Sequence, residues 1–332
     1  MTRLVGMLVI LASFLTGWLW MDYRDTVDSP LGNTETVYFE IFKGQGLAAI
    51  AEGLKQQGLI QKPYWFMLLA YAERAATKLK YGEYEIPPHT TMRQLLARFV
   101  SGKVRQHTVT FIEGWCFQQV LAALAQHPAL VHRVAGKSAE EVMSLLGAPG
   151  EHAEGRFYPD TYFFTKGTED LELLKRAYRK MNAALDKEWQ GRAQGLPLTS
   201  PYEALILASI VEKETARADE RPLIAGVFNR RLAQGMMLQT DPTVIYGMGE
   251  EFTGDIRKED LTRDTPYNTY VHSGLPPTPI AVPGIASIRA ALHPDAGASL
   301  YFVARGDGSH VFSSTLDEHQ QAVEQFQMNR HD

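Results

Sequence analysis

A chain of 332 residues with 45% apolar and 21% charged content is long enough for two domains and an appendage, and its composition is that of an ordinary globular protein. The net charge of -5 leaves no basic footprint, so a nucleic-acid partner is unsupported. The single cysteine, Cys116, rules out an internal disulfide, which suits either the cytosol or an exported protein whose core needs no covalent staple.

The first residues bear on the compartment. Leu4 to Met21 carries no charge and follows Arg3 and the α-amino group. A run of about 18 apolar residues is just long enough to cross a bilayer as a helix. Trp18 and Trp20 stand where an interfacial belt belongs. No small-x-small cleavage site precedes Asp22, so the reading is an uncleaved signal anchor over residues 1–21. Basic charge before the span, with Asp22 and Asp25 after it, places the first residues in the cytoplasm and the body outside. Residues 22–34 are polar, contain Asp-Ser-Pro and Gly-Asn, and read as a linker off the membrane.

A small α+β module of about 80 residues, within the usual domain range, is expected next. Thr36 to Phe42 is a strand by its β-branched and aromatic content, Leu47 to Gln57 a helix stopped by Gly58, and Lys62-Pro63 to about Ala75 a second helix. Tyr81 to Ile86 is a strand, Thr91 to Val100 a helix stopped by Gly102, and His107 to Ile112 a further strand. Residues 113–198 read as mostly helical, with helices through Ala125, over Ser138 to Leu146 and over Leu171 to Trp189. The stretch Glu154 to Tyr162 is instead a loop dense in rings and hydrogen-bonding groups, with Pro159 fixing its backbone. Such loops line carbohydrate grooves or merely anchor themselves to a core, and the sequence does not choose.

Ser200 to Thr215 is the stretch on which the larger, mixed α+β domain is organised. Ser200 can cap, Pro201 suits the first helical position, and Glu203 stands three residues after the cap. Leu205 to Val211 is apolar on nearly every side, so the helix should be buried, yet it ends in Glu212 and Glu214. A desolvated carboxylate is costly unless paired or protonated. Residues two apart on a helix point about 200° apart, so these two acids cannot serve one site side by side, and helix geometry does not choose between them. Asp219 to Gln234 is a further helix stopped by Gly235. Three proline-rich polar segments follow, Leu238 to Tyr246, Thr265 to Tyr270 and Ser273 to Ile280. Long irregular stretches inside a compact domain are functional or disordered, and the tyrosines anchoring these favour the walls of a groove. A helix over Ile285 to Leu292, a hairpin of Leu300 to Ala304 with His310 to Ser313, and a closing helix carrying His319 complete the chain.

The ten histidines show no metal-binding spacing, and the chain has no nucleophile elbow, phosphate loop or dinucleotide fingerprint, so neither metal nor cofactor is expected. What remains is carboxylate chemistry in a groove of aromatics, amides and hydroxyls. That suits glycoside cleavage, where an acid with a raised pKa protonates the leaving oxygen. A hydrolase would need a second carboxylate, and Asp241 is the evident candidate.

Ala208-Ser209-Ile-Val-Glu-Lys-Glu-Thr215, Val227 to Leu232, Leu238-Gln-Thr-Asp-Pro-Thr-Val-Ile-Tyr-Gly247, Tyr267-Asn-Thr-Tyr270 and Gly274-Leu-Pro-Pro277 together resemble the YceG-like (MltG) family of endolytic murein transglycosylases. The resemblance covers nearly the whole chain. It implies a LysM-like module over 35–104 and a catalytic domain over 105–332, behind a single-pass anchor in the bacterial inner membrane with the catalytic part in the periplasm. It implies cleavage within peptidoglycan strands between N-acetylmuramic acid and N-acetylglucosamine. The sugar's own C6 hydroxyl attacks C1 and leaves a 1,6-anhydro end, so no water needs activation. The family's catalytic acid maps onto Glu214. Ser209, Glu212, Gln239, Thr240, Asp241, Tyr246, Tyr267 and Asn268 match positions that would support it or hold the sugar. Peptidoglycan synthases are implied as partners, and membrane lipid through residues 4–21. One departure stands out: Arg230 occupies a place where the family tends to carry asparagine. The rival readings are a muramidase using Glu214 and Asp241, and a non-catalytic peptidoglycan-binding scaffold.

Overall fold

In a computed structural model that describes residues 2–326, the chain divides into two units. The first holds the residues up to His107 together with Phe163–Gly167. Its elements are α1 (Thr2–Asp28), β1 (Val37–Ile41), α2 (Leu47–Gln56), α3 (Pro63–Ala72), β2 (Gly82–Ile86) and α4 (Met92–Ser101). Strands β1 and β2 pair antiparallel with Phe39 opposite Tyr84. Both rings are buried with Ile50, Leu54, Phe66, Leu69, Leu95 and Phe99 in this unit's core. Helix α4 starts where its sequence says it should, since the Thr91 hydroxyl accepts from the Gln94 amide and the Gln94 side chain accepts from Thr91 N–H at 3.0 Å.

Among the described residues one helix, α1, is long and apolar enough to cross a membrane, with an 18-residue window of mean hydropathy 2.0 that is not buried inside the protein. The polar stretch after residue 22, expected as a linker, is helical as far as Asp28. Tyr23 and Val27 explain this: four residues apart, they share a helix face and are buried in the core of the first unit. Asp22 is bound by Lys62 and accepts from the Trp65 indole at 2.9 Å, while Tyr23 meets Trp65 edge-on at 5.4 Å. The apolar helix therefore joins its module through a packed helical turn.

From there the chain forms β3 (His107–Thr110), α5 (Phe117–Ala125), β4 (Leu130–Val131), α6 (Ala139–Leu145), β5 (Thr161–Phe164), β6 (Thr168–Glu169) and α7 (Asp170–Gln190). Helices α8 (Pro201–Glu214), α9 (Arg221–Ala233), α10 (Asp241–Met248), α11 (Lys258–Thr262) and α12 (Ile285–Leu292) follow, then β7 (Tyr301–Ala304), β8 (His310–Ser313) and α13 (Leu316–Phe326). No sheet among the described residues exceeds two strands, so this second unit is a helical body with short ribbons attached. The class is mixed α+β.

Helix α8 is the spine of the second unit. Every residue from Ala204 to Val211 is buried, and α7, α9 and α12 pack around it. Leu205, Leu207 and Ile210 are wholly enclosed, each worth about 1.5–3 kcal/mol of burial. The start of α8 is capped as its sequence proposes, the Ser200 hydroxyl accepting from Glu203 N–H at 3.2 Å. Residues 238–246, expected to be irregular throughout, instead turn helical at Asp241-Pro242: proline is tolerated in the first turn and an acid there meets the positive helix end.

Candidate active site

The spine helix delivers its last residue, Glu214, to the wall of two cavities. The first, of about 350 Å³, is shared with Arg231, Gln239, Thr240, Asp241 and Tyr270 and reaches His310 and His319 of the C-terminal segment. The second, of about 610 Å³, lies against Glu113, Trp115, Gln119, Lys213 and Arg221. Glu214 is the residue common to both. Burial pushes its carboxyl up to about 7. The hydroxyl of Thr240 donates to Oε1 and opposes that shift, while the nearby charge of Asp241 adds to it. A carboxyl in that state is part acid and part base at neutral pH.

Glu212 differs in its surroundings. Its side chain is 6% exposed, accepts from Gly284 N–H at 2.9 Å and lies 3.5 Å from an Arg221 nitrogen. Glu212 thus ties α8 to α9 and to the residue before α12. Of the two acids, only Glu214 faces the Gln239–Asp241 side.

The loop that brings Thr240 to Glu214 is held from below. Arg231, 7% exposed, donates to the carbonyls of Leu300 at 2.7 Å, Leu238 at 2.9 Å and Met237 at 3.1 Å, and to the Gln239 side-chain oxygen at 3.3 Å. Gln239 has a left-handed backbone, φ +52, costing about 1 kcal/mol or more for a residue that carries a Cβ. Its N–H donates to Thr269 O at 3.1 Å, and Thr240 N–H donates to the Thr269 hydroxyl at 3.1 Å. Asp241 accepts from the Tyr270 hydroxyl at 2.6 Å. Thus Gln239, Thr240 and Asp241 are brought together with Glu214.

The remaining sequence candidates stand elsewhere. Ser209 is wholly buried, donating to Ile206 O at 2.7 Å and accepting from Ile280 N–H at 3.0 Å. Asn268 is 1% exposed; its amide donates to the carbonyls of Asp260, Leu261 and Arg263, and its oxygen accepts from Tyr270 N–H. Both shape the backbone around the cavity. Tyr246 and Tyr267 meet edge-on at 4.8 Å and line neither of the two cavities. The Tyr267 hydroxyl bonds Thr278, and the Tyr246 hydroxyl donates to Glu154 at 3.1 Å.

Sequence reasoning placed Glu154 in a ring-rich loop without singling it out. It is 4% exposed, accepts from the N–H groups of Phe117 and Gly155 as well as from Tyr246, and burial pushes it up to about 7. Arg231 was also passed over, although an arginine on the buried side of an apolar helix signals that several acceptors converge on it. Its neighbour Arg230, the departure noted above, donates to Ser299 O at 2.7 Å and Asp295 O at 2.8 Å, so it anchors the segment leading into β7.

One acid between two cavities, with a hydroxyl on it and a second carboxylate nearby, is a site that can give and take a proton. The chain belongs to the YceG-like family, whose sequence model matches residues 39–325. It is similar to an endolytic murein transglycosylase of Bacillus subtilis, 31% identical over 88% of this chain and 85% of the relative. A protein of the same name from Streptococcus pneumoniae is 26% identical over 96% of this chain and 64% of the relative. The crystal structure of a yceG-like protein of Listeria monocytogenes is 31% identical, with a TM-score of 0.58 over 87% of this chain and 99% of that one.

Proposed function

We propose that this chain is a membrane-anchored lytic transglycosylase that cuts peptidoglycan strands internally, between N-acetylmuramic acid and N-acetylglucosamine. The observation that carries the reading is the position of Glu214, half-enclosed at the junction of two cavities, with its carboxyl raised to about 7. An acid with space on both sides can act on a bond in the middle of a strand. The two relatives named above carry the corresponding activity in their names.

The steps follow from that carboxyl. Protonated Glu214 gives its proton to the glycosidic oxygen as the C1–O bond breaks. The resulting carboxylate accepts the proton of the muramic C6 hydroxyl as that oxygen bonds to C1, so the acid is regenerated and no water enters. Thr240 keeps the Glu214 carboxyl aimed through its hydrogen bond to Oε1. Gln239 and Asp241 would contact the sugar and its N-acetyl group. Glu212, Ser209, Tyr246, Tyr267 and Asn268 would act by holding these groups in place.

A second reading is a muramidase in which Asp241 activates water. It is favoured by the closeness of Asp241 to Glu214, felt in the raised carboxyl, and by the Tyr270 hydroxyl that fixes its orientation. The two readings part on product mass, because hydrolysis adds water to the new end.

The pH dependence tests the acid. The free enzyme must hold Glu214 protonated, and its pKa lies above the ordinary value. kcat/KM should therefore stay level below about pH 7 and fall about tenfold per unit above it. Asp241→Asn removes the neighbouring charge and should move that limb to lower pH. A profile with no limb between pH 6 and 8 would contradict the assignment.

Helix α1 supports an inner-membrane anchor with the catalytic part in the periplasm, and the β1–α2–α3–β2 order of the first unit supports a LysM-like, glycan-contacting module. A tethered enzyme meets strands as they leave membrane synthases and would end their elongation. A membrane synthase should co-purify with the full chain and not with one lacking residues 1–21; equal recovery with both would refute this.

A further inference from the structure

The cavity on the Trp115 side of Glu214 has no role in the proton transfers above. Its wall is rigid by construction. Gly114 N–H donates to Val282 O at 2.8 Å and Val282 N–H returns to Trp115 O at 2.7 Å, so the Trp115 backbone is pinned and its half-buried ring is offered to the cavity. The Glu113 carboxylate on the same wall lies close to Gly284, where a Cβ would come within 2.0 Å of Oε1 and push that side chain aside. Two cations border the same space. Lys213 is exposed and donates to the Gly114 carbonyl at 3.4 Å. Arg221 is largely enclosed, its guanidinium 3.5 Å from Glu212, and its Nε is buried without a hydrogen-bond partner. Glu212 has Gly284 N–H as its closer partner. Burial and the Glu212 charge raise the Glu113 carboxyl, while the Arg221 charge lowers it.

We infer that this cavity is an anionic-substituent subsite: Trp115 stacks on a sugar next to the scissile bond, while Arg221 and Lys213 take a carboxylate carried by the muramic residue. The inference rests on peptidoglycan being the substrate. The terminal nitrogens of Arg221 meet Glu212 only at 3.5 Å, so a carboxylate entering the cavity can accept from them together with the Lys213 ammonium. An indole lining the cavity on a pinned backbone can give a sugar face its platform. Such a carboxylate can come from the stem peptide or from the lactyl group left when the peptide is removed.

The experiment compares three preparations of the same strands: with free stem-peptide carboxylates, with those carboxylates amidated, and stripped of peptide by an amidase. A charge-assisted contact is worth about 1.5–3 kcal/mol, so strands that lack the recognised carboxylate should show a wild-type KM about 10- to 100-fold higher than strands that carry it, while kcat changes little. Stripped strands cut better than both peptide-bearing preparations, in which the lactyl carboxyl is held in an amide bond, would assign the lactyl carboxylate; stripped strands behaving like amidated ones would assign the peptide. Lys213→Met and Arg221→Gln should each shrink the KM ratio between strands without and with that carboxylate towards one. Lys213 is exposed, so that variant reports even if Arg221→Gln fails to fold. Equal KM for all three preparations, or a Lys213→Met variant that keeps the wild-type ratios between them, would overturn the subsite. No cleavage of any preparation by the wild type would instead overturn the activity itself.

Discussion

Glu214→Gln should lower the release of cleaved ends from purified strands by about 10³-fold or more, at the upper part of what general acid–base catalysis supplies. Glutamine fills the same volume and can still accept from the Thr240 hydroxyl, so the fold should be kept and only the proton lost. In transition-state terms the loss is about 4 kcal/mol. The control is Glu212→Gln. Its carboxylate is bound by Gly284 N–H and Arg221 rather than aimed at the Thr240 side, and glutamine keeps one acceptor oxygen for the backbone contact. Glu212→Gln should therefore cost stability more than rate. A Glu214→Gln protein with wild-type kcat, or a larger kcat loss in Glu212→Gln, would reverse the assignment of the two acids.

Arg231→Gln should be the next most damaging change, although Arg231 carries no proton in the reaction. Its guanidinium holds the carbonyls of Met237, Leu238 and Leu300, and with them the strained Gln239 backbone that sets Thr240 against Glu214. Glutamine cannot reach all of these acceptors. Each buried carbonyl left without a donor costs about 1–3 kcal/mol, and a loop displaced by about 1 Å costs about 10²-fold in rate. The expected result is a clear loss of Tm with a cooperative melt, and a kcat loss that exceeds any change in KM. Arg231→Lys, which restores the charge but not the fork of donors, should recover only part of it. A folded Arg231→Gln protein with unchanged kcat would show that the loop holds itself.

Much of the fold could be read along the chain because its signals are local. The cap, proline and apolar run of α8 specify a buried helix within a dozen residues, and α12 and the β7–β8 hairpin carry their own stops and turn. The capping box at Thr91 and Gln94 is of the same kind. What was hidden depends on partners far along the chain. Residues 22–28 look polar, and only the core of the first unit, with Lys62 and Trp65, explains why they stay helical. The choice between Glu212 and Glu214 turns on Gly284 and Arg221 for one and on Thr240 for the other, none of which helix periodicity can supply. Asn268 and Ser209 look like sugar-binding groups in a motif, yet their polar atoms meet backbone from distant loops. Asp241 misled in the opposite way: its proline neighbour suggested a loop wall, whereas the pair opens a helix.

The account stands or falls on the chemistry at C1. The decisive measurement is mass spectrometry of the fragments released by the full chain from intact sacculi. Ends lighter by one water than reducing muramic acid, arising within strands and absent with Glu214→Gln, are the predicted outcome. Reducing ends that take up labelled oxygen from the solvent would contradict it and make Asp241 the base of a hydrolase.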